Sequence, residues 1–437
     1  MTRYIQNLAI YLLVSVMLLT TSCHRSGNGD ETITTPQTLI VYLAGTSLGW
    51  AFNGNVQGIE EALKENIQGD SRVVVVWQNF EKPSEKKGDK PEYEFKSNKS
   101  QAIELVYDQK RDTVVRKTIS TYDLQPTMDS ETLGGIFQDV IQKAPAQSYS
   151  LIIGAHGWGW FPYDDFPKLQ NNLLSTAEAR LRKQPTLIPQ HMLTRFVGDP
   201  SSGPNRFDIS TLSEALSSTG KTFEYILFDA CFMANVESAY DLRNNTKYII
   251  GSVCEIMGEG FPYAKAIPYL LKNGGRSYDL PGAVNSFHQY HKGKYIIQPY
   301  NASSNPEKWD HPYSGTMSLI NCSQLDALAS AMKEVNKSLK SAYDRADIQS
   351  YEGGVNHIFF DLGDYIDKVC NNESAKSRLK EQLQKTVSTK YSVDYFWTTY
   401  IDADFYPITS YSGLNTSAPS TLCRDSYKQT AWYKATH

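Results

Sequence analysis

Apolar positions along the chain follow two periods in alternation. Thr38 to Leu43 is a short β-branched run that predicts a strand, Val56, Ile59, Leu63 and Ile67 recur at helical spacing, and Arg72 to Trp77 returns to a run. Strand, amphipathic helix, strand is the pattern of a βαβ unit. Glu81 to Lys96 reads as a charged loop, and the alternating stretches Ile103 to Tyr107 and Val114 to Ile119 predict a hairpin beside the main sheet. Asp129 or Ser130 can cap a helix carrying Leu133, Ile136, Phe137, Val140 and Ile141 on one face, and Pro145 ends it. Ser148 to Ala155 is then a continuous apolar strand, as expected when helices cover both faces of a parallel sheet.

The second half resumes the alternation after a long Pro-rich and aromatic-rich stretch, Trp158 to Arg206, in which Ala177 to Lys183 reads as locally helical. Insertions of that length are usually functional or mobile. A helix from Ile209 to Ser217, a strand from Tyr225 to Phe228, a helix from Asn235 to Leu242 and a strand from Lys247 to Val253 follow. Thr316 to Ile320 predicts one more strand, and Leu325, Leu328, Met332, Val335 and Leu339 mark a long helix. The pattern as a whole predicts an α/β fold with a mostly parallel sheet, and no internal repeat interrupts it.

Composition adds two constraints. With 437 residues, 41% of them hydrophobic, the chain can bury a large core, and its net charge of -4 with interspersed signs lacks the basic stripe of a nucleic-acid binder. At the N-terminus, Arg3, the apolar run Leu8 to Leu19 and the small residues Thr20, Thr21 and Ser22 lead to Cys23. The run is shorter than the ~20 apolar residues of a bilayer span, so residues 1–22 read as a lipoprotein signal and Cys23 as the lipidated residue. An ordinary secretory signal with an incidental Cys23 is the alternative. Residues 23–36, polar and Gly-containing, fit a flexible tether, and the expected location is the bacterial cell envelope or cell surface.

Setting Cys23 aside leaves five of the six cysteines, at irregular spacing and with no Cys/His cluster of the zinc type. No metal and no cofactor is expected. An odd cysteine in an exported chain points to intermolecular pairing or to a thiol kept for its reactivity. Two residues stand out by position: His156 follows the most apolar strand of the first half, and Cys231 follows the most apolar strand of the second. In open parallel sheets, reactive groups collect at the carboxyl ends of strands, and neighbouring strands lie about 4.8 Å apart.

A thiolate that attacks an acyl carbon and an imidazole that protonates the leaving amine make a complete nucleophilic pair. The helix expected after Cys231 would direct its positive end at the sulfur, and the backbone amides of Gly157 and Cys231 are candidate oxyanion donors. Taken singly, Cys231 reads better as a small core residue and His156 as a surface residue with a satisfied hydrogen bond. Their pairing at strand exits of one sheet is what raises the catalytic reading.

The segments SYSLIIGAHGWGW (148–160), YILFDACFMANVESAYDL (225–242) and YIIGSVCEIMGEGFPY (248–263) resemble those of the clostripain-like cysteine peptidases. The His-Gly and Ala-Cys dipeptides mark the wider clan that includes caspases, legumain and gingipains. The Asp-Ala-Cys segment and the Gly-Glu-Gly-Phe-Pro-Tyr loop are more specific to the clostripain branch. The resemblance runs from Thr38 to the end of the chain, weaker at Val41 to Leu43, Ser412 to Leu414 and Trp432 to Tyr433. It implies a caspase-like three-layer sandwich over residues 37–310, with a smaller C-terminal α+β region, 311–437, packed on it.

The same resemblance implies catalysis by His156 and Cys231 on protein or peptide substrates, with no third acidic residue required. Asp229 lies two residues before Cys231 on the same side of its strand, where a carboxylate favours Arg or Lys before the cut. Bonding only to backbone amides is the alternative for Asp229. A second pocket carboxylate is expected within Met257 to Phe261, and Glu259 stands where the family usually has Asp. Family members are often zymogens cut between the His and Cys segments, which makes Arg180, Arg182 and Lys183 autocleavage candidates. A solvated amphipathic helix explains the same charges. The type member is described as calcium-dependent, yet no Asp-rich loop of EF-hand type occurs here. Two rivals to the peptidase reading remain at this level: an inactive clostripain-like lipoprotein used for binding, and a Cys–His hydrolase of non-peptide amides or thioesters.

Overall fold

A computed structural model describes residues 35–162 and 206–437, apart from 45–47, 66–68, 78–83, 88–89, 93–98, 124–126, 259, 274, 293, 298–308, 313–314, 353–356 and 399–403. Residues Thr35–His437 form one compact unit. In chain order its main elements are β1 (Thr38–Leu43), α1 (Gly49–Lys64), β2 (Arg72–Trp77), β3 (Lys99–Asp108), β4 (Thr113–Asp123), α2 (Ser130–Lys143) and β5 (Tyr149–Gly154). They continue with α3 (Ile209–Ser218), β6 (Ile226–Asp229), α4 (Val236–Leu242), β7 (Tyr248–Gly251), α5 (Tyr263–Leu270) and α6 (Leu280–His291). The C-terminal part adds β8 (Met317–Asn321), α7 (Leu325–Asn336), α8 (Leu362–Val369), α9 (Glu373–Thr386) and β9 (Val387–Tyr391).

These strands make one nine-stranded sheet in the order β9-β8-β7-β6-β5-β1-β2-β3-β4. The five central strands, β2-β1-β5-β6-β7, are parallel, and antiparallel pairs close both flanks. β1, β5 and β6 are buried along their whole length, which is why they read as unbroken apolar runs. One face packs on α2, α3, α4 and α7, with Phe137, Leu212, Val236 and Leu328 in the core; the other packs on α1, α5 and α6, with Val56, Ile267 and Val284. This is the three-layer α/β sandwich expected from the sequence, completed by strands of the C-terminal region.

Most elements fall where the periodicity puts them. α1 starts earlier than its Val56 stripe suggested, because Phe52 adds a buried turn that the neighbouring Gly49, Asn53 and Gly54 conceal. The hairpin β3–β4 is also longer than its alternating stretches, since polar residues continue the ladder at both ends. Asp129 caps α2 by accepting the Thr132 N–H at 2.7 Å.

Candidate active site

β5 and β6 are adjacent and parallel, with Gly154 beside Asp229, and the Ala155 N–H still donates to the Asp229 carbonyl at 3.2 Å. His156 and Cys231 therefore leave the sheet at the same level, each two residues past a matched pair. The chain after β5 turns onto the chain after β6. A Cβ on Gly157 would lie 2.3 Å from the Cys231 carbonyl oxygen and 3.0 Å from its amide nitrogen, so only glycine permits this approach. His156 and Cys231 are both half-buried, open enough to meet a ligand.

Cys231 sits where the backbone bends sharply. Phe232 adopts a left-handed φ of 59°, which costs a non-glycine residue about 1–2 kcal/mol. Its N–H donates to the Cys254 carbonyl at 3.1 Å, and its ring stacks on Phe359 at 4.8 Å and meets Trp158 edge-on at 4.9 Å. The helix begins at Val236, behind the Asn235 cap and where the periodicity puts it, and Phe232 to Asn235 are spent on this turn. Ile256 faces the sulfur with both backbone groups: its N–H donates to Sγ at 3.3 Å, and its carbonyl can accept from the thiol at 3.9 Å.

No disulfide joins the described cysteines. Burial pushes the Cys254 thiol up to about 11 and the Cys322 thiol to about 12, and Cys370 is buried too. Cys254, Cys322 and Cys370 are thus core thiols, whereas Cys231 and Cys423 are half-buried. Cys231 is the thiol at the sheet's carboxyl edge.

Asp229 is buried, and burial raises its carboxyl to about 6 against the hydrogen bonds it accepts from the Phe261 N–H and the Tyr263 hydroxyl. The Tyr263 bond is 2.9 Å long. Gly260, with φ at 68°, presses on the same carboxylate: a Cβ there would be 2.5 Å from Oδ2. The Gly260 carbonyl is met by His291 Nε2 at 3.0 Å. A carbonyl only accepts, so Nε2 carries the proton, and burial holds His291 down at about 4, neutral at working pH. Phe287 covers its ring at 4.2 Å. The loop after β7 is thus tied to Asp229, to His291 and, through a 2.6 Å bond from the Thr398 hydroxyl to Glu255, to the C-terminal region.

Of the residues singled out by sequence, His156, Gly157, Asp229 and Cys231 meet at one edge of the sheet. Glu259, Arg180, Arg182, Lys183 and Cys23 lie outside the described residues. Ile256, Tyr263 and His291 were not foreseen. Tyr263 belongs to a quoted motif, whereas His291 is a lone histidine on a helix with no local signal. Among the described residues, no three His, Cys, Asp or Glu side chains are grouped to hold a metal ion, and no helix is long and apolar enough to cross a membrane.

A thiol and an imidazole thus stand at matched exits of neighbouring parallel strands, beside a close-packed glycine and a buried carboxylate, on a helix-covered α/β sheet. The clostripain family model matches residues 189–430, a stretch that includes Asp229 and Cys231 and begins after His156. The chain belongs to the clostripain family and is a cysteine-type peptidase.

Among solved structures, a secreted C11 cysteine protease of Bacteroides thetaiotaomicron, "iotapain", is 30% identical with a TM-score of 0.70, covering 92% of this chain and 99% of its own. A secreted C11 cysteine protease from the same organism, in complex with an irreversible peptide inhibitor, is 26% identical with a TM-score of 0.68 over 92% of this chain and 98% of its own. An inactive zymogen C11 protease of Parabacteroides distasonis, 24% identical with a TM-score of 0.65 over 92% and 98%, shares the fold. A search among curated proteins gave no match.

Proposed function

We propose that this peptidase cleaves peptide bonds after Arg or Lys, with Cys231 as nucleophile and His156 as the acid that protonates the leaving amine. The observation that carries the reading is the register Gly154 beside Asp229, which brings both residues to one edge at one level. Cys231 Sγ attacks the scissile carbonyl, the C–N bond breaks as His156 donates its proton, and water then hydrolyses the acyl-enzyme. The amides of Gly157 and Cys231 are the candidate donors to the developing oxyanion, and the close approach of the two residues supports that role. Asp229 supplies the negative charge of the specificity pocket, and Glu259 is the candidate second carboxylate. That a related secreted C11 protease was captured with a peptide inhibitor supports peptides as the substrate class.

Cys23 as a lipid anchor, and cleavage at Arg180, Arg182 or Lys183 as activation, belong to the same proposal. The test is hydrolysis of fluorogenic peptides ending in Arg, Lys, Asp or Ala by the chain after Cys23, beside Cys231→Ala. Turnover of the Arg or Lys peptide, lost by at least about 1,000-fold in the variant, is the expected result. Equal turnover in both forms would remove Cys231 from the mechanism.

A further inference from the structure

We propose that the segment Asn415–Ser417, far downstream of both catalytic residues, is a positioning element that locks the His156 loop and the Cys231 turn into one rigid pair. The inference rests on the reading of Cys231 as nucleophile.

The segment touches each loop through buried, specific hydrogen bonds. On the cysteine side, the Asn415 N–H donates to the Ala234 carbonyl at 2.9 Å, and Asn415 Oδ1 accepts from Asn235 Nδ2 at 2.7 Å. Asn235 caps the helix that follows the turn, accepting the Ser238 N–H at 3.0 Å, and its Nδ2 also reaches Glu237 at 2.6 Å. Glu237, fully buried, accepts the Thr416 hydroxyl at 2.7 Å and the Ser417 N–H at 2.9 Å. Asn415 Nδ2 donates to the Val253 carbonyl at 2.9 Å, tying in the exit of β7. On the histidine side, Ser417 Oγ accepts from Trp160 Nε1 at 2.7 Å. Trp158, from the same loop, packs on Phe232 directly after the nucleophile.

Asn235, Glu237, Asn415, Thr416 and Ser417 are all essentially inaccessible to solvent, so none of these bonds serves a surface role. A buried amide and a buried carboxylate are costly unless fully paired, and satisfied networks of this kind specify one geometry. The geometry specified here is that of the turn carrying a strained Phe232. Without the segment, the turn loses the bonds that oppose its relaxation, and the sulfur would drift from its place opposite His156. Small displacements of that kind cost catalysis far more than binding.

The experiment measures kcat and KM on the Arg peptide, per alkylatable Cys231 counted by iodoacetamide labelling and peptide mass, in the full chain. Asn415→Ala is expected to lower kcat about 100-fold with KM changed less than about threefold. Thr416→Val is expected to lower kcat about tenfold, and Thr416→Ser, which keeps the hydroxyl, to restore it. If Asn415→Ala does not fold, the Thr416 pair decides. A fall in melting temperature with kcat per labelled site unchanged, or a rise in KM alone, overturns the proposal. Full activity in Cys231→Ala, or activity that survives complete alkylation of Cys231, overturns the nucleophile reading itself and is seen in controls that leave Asn415 intact.

Discussion

At the scale of single residues, the site depends on what two positions refuse to hold. A methyl on Gly157 would press on the Cys231 carbonyl oxygen, so one strand exit has to move. Gly157→Ala is expected to lower kcat about 100-fold or more and to lower the melting temperature as well, since overpacking costs about 1–3 kcal/mol, checked by steady-state kinetics beside calorimetry. Asp229 gives a pH signature. Because burial raises its carboxyl from 3.8 to about 6, it is neutral below that value and charged above it. The ratio of kcat/KM for an Arg peptide to that for its neutral citrulline counterpart should fall about tenfold per pH unit below 6. The ratio cancels the shared titration of thiol and imidazole. Asp229→Asn should flatten it to near unity at every pH.

At the scale of elements, the loop after β7 is held from outside the site. α6 reaches it through His291, whose ring donates to the Gly260 carbonyl and stays neutral down to about pH 4. His291→Phe preserves the ring packing and drops that donor, leaving a buried carbonyl unpaired at a cost of about 1–3 kcal/mol. The expected result is KM for Arg peptides up by about tenfold with kcat within threefold, read from initial rates over a substrate series. The sequence reveals some of this and hides the rest for a physical reason. β1, β5 and β6 are buried on both faces and so announce themselves as apolar runs, which is why His156 and Cys231 are legible as strand-exit residues. Ile256, His291, Glu237 and Asn415 act through contacts between distant segments, and a lone polar residue whose partner is far along the chain leaves no periodic trace. The turn at Phe232 was equally invisible, because its left-handed backbone is imposed by Trp158 and Phe359 rather than by any local residue preference.

At the scale of the whole molecule, buried carboxylates and buried histidines contribute to the pH response with opposite signs. Burial raises Glu237 from 4.5 to about 7, so the folded state holds its proton more tightly than the unfolded chain. The stability it contributes is fully present below about pH 4.5 and is lost as pH rises through 7, by up to ~3 kcal/mol, since each tenfold gain in proton affinity is worth ~1.4 kcal/mol. Asp229 acts in the same direction between 3.8 and about 6. Buried His291 and His357, both held down at about 4, act in the opposite direction below pH 6.5, so the share of Glu237 is read by comparing the variant with the unsubstituted chain. Glu237→Gln should raise the melting temperature at pH 8 relative to that at pH 5, although it lowers stability throughout by facing the Asn235 amide with a second donor.

The sheet order carries one more consequence. β5 and β6 are neighbours in space, yet the chain between them runs from 155 to 225. A cut between 163 and 205 leaves every strand of the nine-stranded sheet whole: the N-terminal piece keeps β1 to β5 and His156, the C-terminal piece keeps α3 and β6 to β9, and the seam between them is an interior ladder backed by the packing of α2 on α3. The severed protein would behave as a heterodimer whose interface is a domain core cut in half, so denaturing electrophoresis should show two bands where gel filtration shows a single peak at the mass of the intact chain. His156 and Cys231 would then belong to different polypeptides, each inert alone, and the enzyme would be a complementation pair.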